Sequence, residues 1–370
     1  MDISDLSITG WPFRIALLVL TGVGLLLIFW PGRHHRWRRT SGGVLTVVFG
    51  LAFTGAWVNA HFEYFRTVGD LFGRSAADEA SVASLSRTDV PGHGSVVTVK
   101  IPATQSGFAA RPAHVFVPPA WFGKPKPKLP VILMLHGSPG TPEDWTRGGV
   151  ADQTADAFAA AHDGVAPILV MPDTNGSVTA DTECVDSSRG NAETYLTVDV
   201  RDFVIQRFET ATDAKSWSVA GFSAGGACAT MLALRHPDLF ETFADYGGLV
   251  GPRSGEGNDP GTTVTDLFAG SQSAFDAHEP QKILKSKRFE GMGAWFEAAV
   301  DDPPPLAAIR VLAPLTEAAG IDTCLVELPS GGHTFVVWTQ AFKDSLPWMA
   351  ARMGLIPASP DQTRLCQSPR

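Results

Sequence analysis

The chain has 370 residues, of which 44% are hydrophobic, and its formal net charge is -9. A chain of this length holds one large α/β domain with an appendage, and its hydrophobic share supplies a sizeable core, which excludes a disordered protein. Nucleic acid is excluded as a partner, because phosphate binding relies on clustered Lys and Arg, which occur here in one short run only.

Two apolar segments near the amino terminus predict transmembrane helices at about residues 11–30 and 42–60. Residues 31–39 between them carry four arginines and two histidines, and by the positive-inside rule this basic loop stays in the cytoplasm. All residues after His61 then lie on the side of the membrane opposite the cytoplasm. We therefore expect residues 1–65 to form a two-pass anchor in a bacterial cell membrane.

The same segment has an alternative interpretation as a signal peptide. The second apolar run ends in Val-Asn-Ala60, a small-residue pattern of the kind that precedes a cleavage site. Both interpretations place the remaining chain outside the cytoplasm. The second run is longer than the core of an ordinary signal peptide, which favours the uncleaved anchor.

The remaining chain is expected to comprise a linker at residues 66–92 and a domain at residues 93–370. From Pro91 onwards, short apolar runs alternate with longer amphipathic ones, a pattern typical of a mostly parallel sheet with helices on both faces. Residues 251–289 are rich in Gly, Ser and Asp and contain two weak helical pieces, so they are either a lid or a surface excursion. The predicted strands are Val96–Ile101, His114–Val117, Val131–His136, Ile168–Met171, Ser216–Ala220, Phe243–Tyr246, Ala294–Ala299 and Cys324–Leu328. The predicted helices are Ala151–Ala161, Ala192–Phe208, Ala224–Arg235, Leu306–Ala319 and Phe335–Met353.

The strongest motif is Gly221-Phe-Ser-Ala-Gly225, which stands between a predicted strand and a predicted helix. In this context a serine sits on a sharp strand-to-helix turn with a strained backbone, and the glycines two residues before and after it relieve crowding. The hydroxyl then points outward at the positive end of a helix. The motif therefore predicts Ser223 as a nucleophile.

A serine nucleophile needs a base and an acid, which follow it in the order Ser, acid, His. His333 lies on the loop after the last predicted strand, directly after two glycines, and is the predicted base. Asp301 and Asp302 follow the preceding strand, and Glu297 lies inside it. We favour Asp302, because a loop position immediately before a proline fits a carboxylate leaving the sheet edge; Asp301 ranks next and Glu297 third.

An oxyanion hole requires two N–H donors near the nucleophile. The backbone N–H of Ala224, directly after the serine, is the first predicted donor. Ser138 is the second, because it lies on the loop after the third predicted strand and the adjacent Pro139 has no N–H. For His136 in the same segment, we expect a hydrogen-bonded role in the core. The spacing of Cys and His fits no metal site, so we expect neither a metal nor another cofactor.

At these motifs the sequence resembles the esterase D and mycolyltransferase group of α/β-hydrolases. The likeness spans roughly residues 96–353. It implies an α/β-hydrolase fold and a serine esterase or acyltransferase, with Ala224, Ser138 and His333 in the roles given above. The segments that carry it are Leu133-Met-Leu-His-Gly137, Glu193-Thr-Tyr-Leu-Thr197, Gly221-Phe-Ser-Ala-Gly225, Ala233-Leu-Arg-His-Pro-Asp-Leu-Phe240 and Gly331-Gly-His-Thr-Phe-Val-Val-Trp338.

The four cysteines of an exported domain are compatible with two disulfides, for which three pairings exist. Our hypothesis pairs Cys184 with Cys228, beneath the nucleophile helix, and Cys324 with Cys366 in the carboxyl-terminal tail.

The expected function is that of an extracytoplasmic, membrane-anchored serine esterase working through an acyl-serine intermediate. Anchoring outside the cytoplasm favours cell-envelope lipids or acylated glycans as substrates. One alternative is an acyltransferase of the mycolyltransferase type. Another is a catalytically inactive hydrolase fold that serves as a membrane-tethered binding module.

Overall fold

A computed structural model describes residues 3–30, 35–71, 79–80, 85 and 89–367. The chain divides into two compact units, Met1–Arg74 and Ser75–Arg370. Residues 31–34 of the predicted basic loop lie outside the described residues, as do residues 72–78, 81–84 and 86–88 of the predicted linker.

The first unit is a pair of long apolar helices followed by one short helix. The most apolar windows of the two long helices have mean hydropathies of 2.2 and 1.6, so both are long and apolar enough to cross a membrane. They pack closely, since a Cβ added to Gly24 would lie 2.6 Å from Thr46 Oγ1. The helices are α1 (Trp11–Phe29), α2 (His35–Phe62) and α3 (Val68–Leu71).

Backbone hydrogen bonds join the segment before α1 to the segment after α2. The N–H of Ile8 donates to the Arg66 carbonyl over 3.0 Å, and the N–H of Val68 donates to the Leu6 carbonyl over 2.9 Å. The Asp70 carboxylate accepts the N–H of Arg66 and of Thr67, which fixes the turn into α3. Because the segment before α1 is hydrogen-bonded to the segment after α2, the two helices form a closed antiparallel hairpin.

The second unit is built on a sheet that, within the described residues, has nine strands. Its order is β1-β2-β3-β5-β4-β8-β9-β10-β11, and neighbours from β5 to β11 pair in parallel, whereas β3 runs antiparallel to β2 and β5. The β6–β7 pair forms a separate small hairpin. The strands are β1 (Glu79–Ala80), β2 (Ser95–Val99), β3 (Ala113–Val117), β4 (Val131–Leu135), β5 (Ile168–Met171), β6 (Asp186–Ser187), β7 (Gly190–Asn191), β8 (Trp217–Phe222), β9 (Thr242–Tyr246), β10 (Gly293–Ala299) and β11 (Asp322–Leu328).

Helices cover the sheet and supply the rest of the core. A π-helical turn at Tyr195–Asp199 joins α6 to α7, so the predicted helix at residues 192–208 is continuous in the chain but irregular in its hydrogen bonding. The helices are α4 (Asp144–Arg147), α5 (Ala151–Ala160), α6 (Ala192–Thr194), α7 (Val200–Phe208), α8 (Ala224–Arg235), α9 (Thr263–Phe268), α10 (Gln272–Asp276), α11 (Pro280–Ser286), α12 (Pro303–Ala318), α13 (Phe335–Arg352) and α14 (Pro360–Thr363).

The expected α/β-hydrolase architecture is confirmed, with local differences. Helix α12 begins at Pro303 and not at the predicted Leu306, because prolines at the first turn of a helix remove no intrahelical hydrogen bond. Residues 251–289 contain the three short helices α9, α10 and α11 where two weak pieces were predicted. The short helix α4 and the β6–β7 hairpin were not predicted, since neither is long enough to show a periodic pattern.

Both hypothesised disulfides are confirmed. Cys184 is bonded to Cys228, which joins the loop after β5 to helix α8, the helix that follows Ser223. Cys324 is bonded to Cys366, which ties the carboxyl-terminal tail to the edge strand β11. Cys184, Cys228 and Cys324 are almost fully buried, so these bonds belong to the core of the second unit.

Candidate active site

Ser223 sits on the turn between the central strand β8 and helix α8. Its backbone has φ 54° and ψ -129°, a combination that costs a non-glycine residue about 1–3 kcal/mol and persists only where the surroundings enforce it. The Ser223 N–H donates to the Tyr246 carbonyl of β9 over 3.0 Å. The strand, its neighbour and the helix together fix the strained turn.

The glycines on either side of Ser223 are required by packing. A Cβ added to Gly221 would collide with the carbonyl group of Gly225, and one added to Gly225 would collide with the carbonyl group of Leu135 in β4. Both carbonyl groups belong to the backbone of packed elements, so they cannot shift to make room for a side chain. The turn therefore accepts no side chain at either position, which is the physical content of the Gly-x-Ser-x-Gly motif.

His333 and Asp302 complete a line of hydrogen bonds from the serine. The distance from His333 Nε2 to Ser223 Oγ is 2.8 Å, and that from His333 Nδ1 to Asp302 Oδ2 is 2.6 Å. A carboxylate only accepts, so Nδ1–H donates to Asp302, which leaves Nε2 to accept the serine hydroxyl. Asp302 is the N-cap residue of α12, in the short turn after β10. The fold thus brings Ser223 and His333, which are 110 positions apart in the chain, into one hydrogen bond.

The other two carboxylates considered for the acid do not contact the imidazole. Asp301 faces the backbone of the His333 loop, where it accepts the N–H of Gly332 over 2.8 Å and of Gly331 over 3.2 Å. Glu297 is fully buried in β10 and accepts the indole N–H of Trp295 over 2.9 Å. The inclusion of Asp301 among the candidate acids is thus corrected: successive residues project in different directions at the strand end, and Asp302 is the one that reaches His333.

The two predicted oxyanion donors belong to segments that adjoin the serine. Ala224 is the first residue of α8, and the first N–H groups of a helix have no intrahelical acceptor. The loop after β4 also lies close to the serine, since a Cβ added to Gly137 would lie 3.1 Å from Ser223 Cβ. Ser138 follows on this loop, and its hydroxyl donates to the Ala180 carbonyl, which leaves its backbone N–H as the group relevant to an oxyanion.

Among the described residues, no group of three or more His, Cys, Asp or Glu side chains has the geometry to hold a metal ion. The described site consists of a serine, an imidazole, a carboxylate and backbone N–H groups. Such a set is suited to attack on a carbonyl carbon and to stabilising the oxyanion that results.

Comparison with known proteins identifies the family. The Esterase family model, described as "Putative esterase", matches residues 109–349, more than half of the chain. This chain belongs to the Esterase family. A Corynebacterium glutamicum protein described as uncharacterized is 33% identical over 347 residues, which cover 90% of this chain and 79% of that relative.

Solved structures agree on the fold of this esterase. A ferulic acid esterase is 20% identical with a TM-score of 0.59, and the match covers 71% of this chain and 99% of that one. An S-formylglutathione hydrolase from Agrobacterium tumefaciens is 19% identical with a TM-score of 0.58, and the match covers 73% of this chain and 99% of that one. The expected resemblance to esterases of the α/β-hydrolase kind is confirmed.

The loop that contains Ser138 is held on both sides of this residue by buried polar groups of the esterase. Asp173, after β5, is fully buried and forms an ion pair with Arg111, whose Nη2 lies 2.6 Å from Asp173 Oδ1. The same nitrogen donates to the Gly140 carbonyl. His136 is buried, with Nδ1 2.7 Å from the Gly137 carbonyl oxygen, and Nε2 accepts the N–H of Thr174. His136 therefore has the expected hydrogen-bonded core position.

The segment at residues 251–289 is attached to the rest of the esterase by polar contacts. The N–H of Arg253 donates to Glu183 Oε2 over 3.1 Å, and the buried Arg253 guanidinium pairs with Glu279 inside the segment. Glu193, at the start of α6, accepts from His278 of this segment and from Arg235 and His236 at the end of α8. Burial opposes ionisation of Glu193, but these three partners outweigh it and lower the pKa of its carboxyl below the ordinary value.

The roles of two residues near the site were not predicted from the sequence. Trp338 packs against the imidazole, with its ring perpendicular to that of His333 at 5.0 Å between centroids, and it stacks on Phe222. Asp245 is fully buried beside Gly226 in the first turn of α8, and burial raises the pKa of its carboxyl to about 7. Trp338 ends the segment that carries the family resemblance, but nothing in the sequence indicated its contact with His333. Asp245 stands in an otherwise apolar strand and carries no motif.

Proposed function

We propose that this chain is a membrane-anchored serine esterase acting outside the cytoplasm, with Ser223 as nucleophile, His333 as base and Asp302 as acid. The observation that carries the proposal is the pair of hydrogen bonds from Asp302 through His333 to Ser223, at 2.6 and 2.8 Å. Membership of the Esterase family supports ester bonds as the substrate.

The first half of the reaction transfers the acyl group to the enzyme. Ser223 Oγ attacks the ester carbonyl carbon while His333 Nε2 takes the hydroxyl proton, and the carbonyl oxygen becomes an oxyanion that accepts from the N–H groups of Ala224 and Ser138. The intermediate then expels the alcohol, which takes the proton from His333. An acyl-serine ester at Ser223 remains.

The second half of the reaction releases the acyl group by the same steps in reverse order. Water or an alcohol gives a proton to His333 and attacks the acyl carbonyl, and collapse of the oxyanion returns the proton to Ser223. Asp302 stays ionised throughout. It keeps the imidazole in the tautomer that accepts at Nε2 and stabilises the imidazolium that forms twice in each cycle.

Three observations support anchoring outside the cytoplasm. The helices α1 and α2 are long and apolar enough to span a membrane. The segment before α1 and the segment after α2 are joined by backbone hydrogen bonds, which closes the helical hairpin. Ala60 lies inside α2, so a cleavage site there would be helical. The two disulfides fit a chain that folds outside the cytoplasm. From this location we infer envelope lipids or acylated glycans as the substrates.

Activity-based labelling tests the assignment of the nucleophile. The full chain, purified in detergent, is treated with a fluorophosphonate probe and assayed on p-nitrophenyl esters, in parallel with Ser223→Ala and with Ser273→Ala as a surface serine control. We expect labelling and turnover in the parent and in Ser273→Ala and neither in Ser223→Ala. Full ester hydrolysis by Ser223→Ala would remove the proposal, and absence of labelling in the parent would favour an inactive binding module.

Product analysis separates hydrolysis from acyl transfer, the second candidate. The enzyme is given an acyl ester with and without a competing alcohol such as glycerol or trehalose, and the products are measured. An esterase releases free acid at a rate that the alcohol changes little. Accumulation of the new ester at the expense of free acid would assign the chain as an acyltransferase.

The anchor is tested by the amino-terminal sequence and the topology of the chain in cells. We expect the mature membrane protein to begin at the start of the chain, and an externally added protease to digest the second unit in spheroplasts. A mature protein that begins at His61 and is recovered in the soluble fraction would replace the anchor by a cleaved signal peptide.

A further inference from the structure

Two consecutive aspartates follow β10, and only one of them contacts the imidazole. Asp302 reaches His333 Nδ1 over 2.6 Å. Each carboxylate oxygen of Asp301 accepts one N–H of the loop that carries His333: Gly332 at 2.8 Å and Gly331 at 3.2 Å. The imidazole and its backbone are thus held from the same strand end by two neighbouring residues.

The loop before His333 needs an external restraint because of its composition. Gly331 has φ 138° and Gly332 has φ 61°, and glycine is the residue that loses most conformational freedom on folding. On the other side of the loop, the Thr334 hydroxyl donates to the Gly331 carbonyl over 2.9 Å. Asp301 supplies the acceptors for both glycine N–H groups, so the two flexible peptides directly before His333 are fixed.

The electrostatics of Asp301 fit this arrangement. Its side chain is exposed, and the hydrogen bonds from Gly332 and then Gly331 lower the pKa of its carboxyl below the ordinary value. The carboxylate is therefore ionised at neutral pH, and hydrogen bonds to a charged acceptor are stronger than those between neutral groups. An exposed carboxylate adds little to core packing, so its effect is confined to the loop.

We propose that Asp301 is a positioning residue of the reaction, which fixes the backbone of the His333 loop so that the imidazole spans from Asp302 to Ser223. The proposal rests on the proposed function, in which His333 is the base. It also gives the two aspartates different tasks: Asp302 orients the ring, and Asp301 orients the chain that carries it.

The test compares Asp301→Ala and Asp301→Asn with Glu327→Ala. Glu327 is a matched control because it is a carboxylate of the adjacent strand β11 that accepts hydrogen bonds from Arg310 on the exposed side of α12. In the full chain we expect Asp301→Ala to lower kcat for p-nitrophenyl esters about 10- to 100-fold with KM unchanged within twofold. Asp301→Asn, which keeps one acceptor oxygen, should recover part of that loss, and Glu327→Ala should keep the parent kcat.

Two further readouts separate positioning from a general loss of structure. The melting midpoints of Asp301→Ala and Glu327→Ala should agree within about 2 °C, and the rate of fluorophosphonate labelling of Asp301→Ala should fall in parallel with its kcat. Parent kcat in Asp301→Ala, or an equal loss of kcat in Glu327→Ala, would overturn the proposal. Full activity in Ser223→Ala would instead remove the proposed function itself, so the two failures are distinct.

Discussion

The turn that carries Ser223 and the loop that carries His333 are joined by one hydrogen bond, but their conformations are restrained by different interactions. Around Ser223 the restraint is backbone packing, because Gly221 and Gly225 leave no room for a side chain between β8, α8 and β4. Around His333 the restraint is a set of hydrogen bonds in which the carboxylates of Asp301 and Asp302 accept from the glycine-containing loop and from the imidazole. We therefore expect substitutions in the turn to disrupt the fold, and substitutions around the loop to lower activity in a folded protein.

Gly221→Ala tests the packing side of this comparison and has the largest expected effect. The new Cβ would collide with the Gly225 carbonyl group, which is backbone and cannot move aside. We expect a loss of roughly 3 kcal/mol or more of folding free energy. The measurement is the yield and melting midpoint of the purified protein.

Gly255→Ala is the matched control for this substitution, because a Cβ at Gly255 would meet nothing within 4 Å. It should keep the parent midpoint. A Gly221→Ala protein with the parent midpoint and normal labelling at Ser223 would show that the turn is not determined by backbone packing.

Asp302→Asn tests the hydrogen-bonding side of the comparison. An asparagine at this position allows the imidazole to take the wrong tautomer, so we expect kcat to fall roughly 10³- to 10⁴-fold. Asp302 precedes α12, but its side chain makes no capping hydrogen bond to that helix, so the substitution removes no helix cap and the fold should be unaffected. A kcat within tenfold of the parent, or a midpoint lowered as much as in Gly221→Ala, would break the distinction between the two regions.

The difference between the two regions also explains what the sequence predicted. The Ser223 turn requires glycine two positions before and two positions after the serine, so a local sequence pattern reveals it, although β4 and β9 also hold it in place. The choice among Asp301, Asp302 and Glu297 depends on where β10 ends and α12 begins. Helix α12 starts at Pro303, three residues before the predicted start, and this makes Asp302 the N-cap residue that reaches His333.

The residues that pack around the site could not be predicted from local sequence patterns. Trp338 contacts His333 because α13 folds back over the sheet, and Asp245 contacts Gly226 because β9 lies beside β8. Contacts of this kind depend on strand order and helix placement, which single-sequence periodicity does not contain. The alternation of apolar and amphipathic runs, by contrast, predicted the main strands, since burial on both faces leaves a direct signature in composition.

Trp338→Leu tests whether packing also contributes on the His333 side. The Trp338 ring lies perpendicular to the imidazole at 5.0 Å, so its loss frees rotation of His333. We expect kcat to fall about tenfold, alongside a loss of roughly 2–3 kcal/mol of stability from the cavity. Steady-state kinetics and a thermal melt measure the two effects.

Trp348→Leu provides the control for Trp338→Leu, because Trp348 is equally buried on the same helix but packs against Trp295, away from the site. It should lose comparable stability while its kcat stays near that of the parent. Equal losses of kcat in both variants would mean that His333 responds to the general stability of α13 and not to the ring beside it.

Asp245→Asn has the smallest expected effect and sharpens the description of the Ser223 turn, where a titratable group lies among the packed backbone. Asp245 accepts the N–H of Gly248 over 2.7 Å, yet burial dominates and raises the pKa of its carboxyl from 3.8 to about 7. A raised pKa in the folded state means that the protonated form fits the fold. The stability that this form contributes is complete below pH 4 and is lost as the pH rises through 7.

Asparagine resembles the protonated acid in shape and cannot ionise, so Asp245→Asn should become more stable than the parent as the pH rises. From pH 5 to pH 8 the difference in folding free energy between the two proteins should shift by roughly 2–3 kcal/mol in favour of the variant. Melting midpoints across this range measure the shift. If the difference between midpoints stays constant with pH, Asp245 does not titrate in this range, and the turn that holds Ser223 is governed by packing alone.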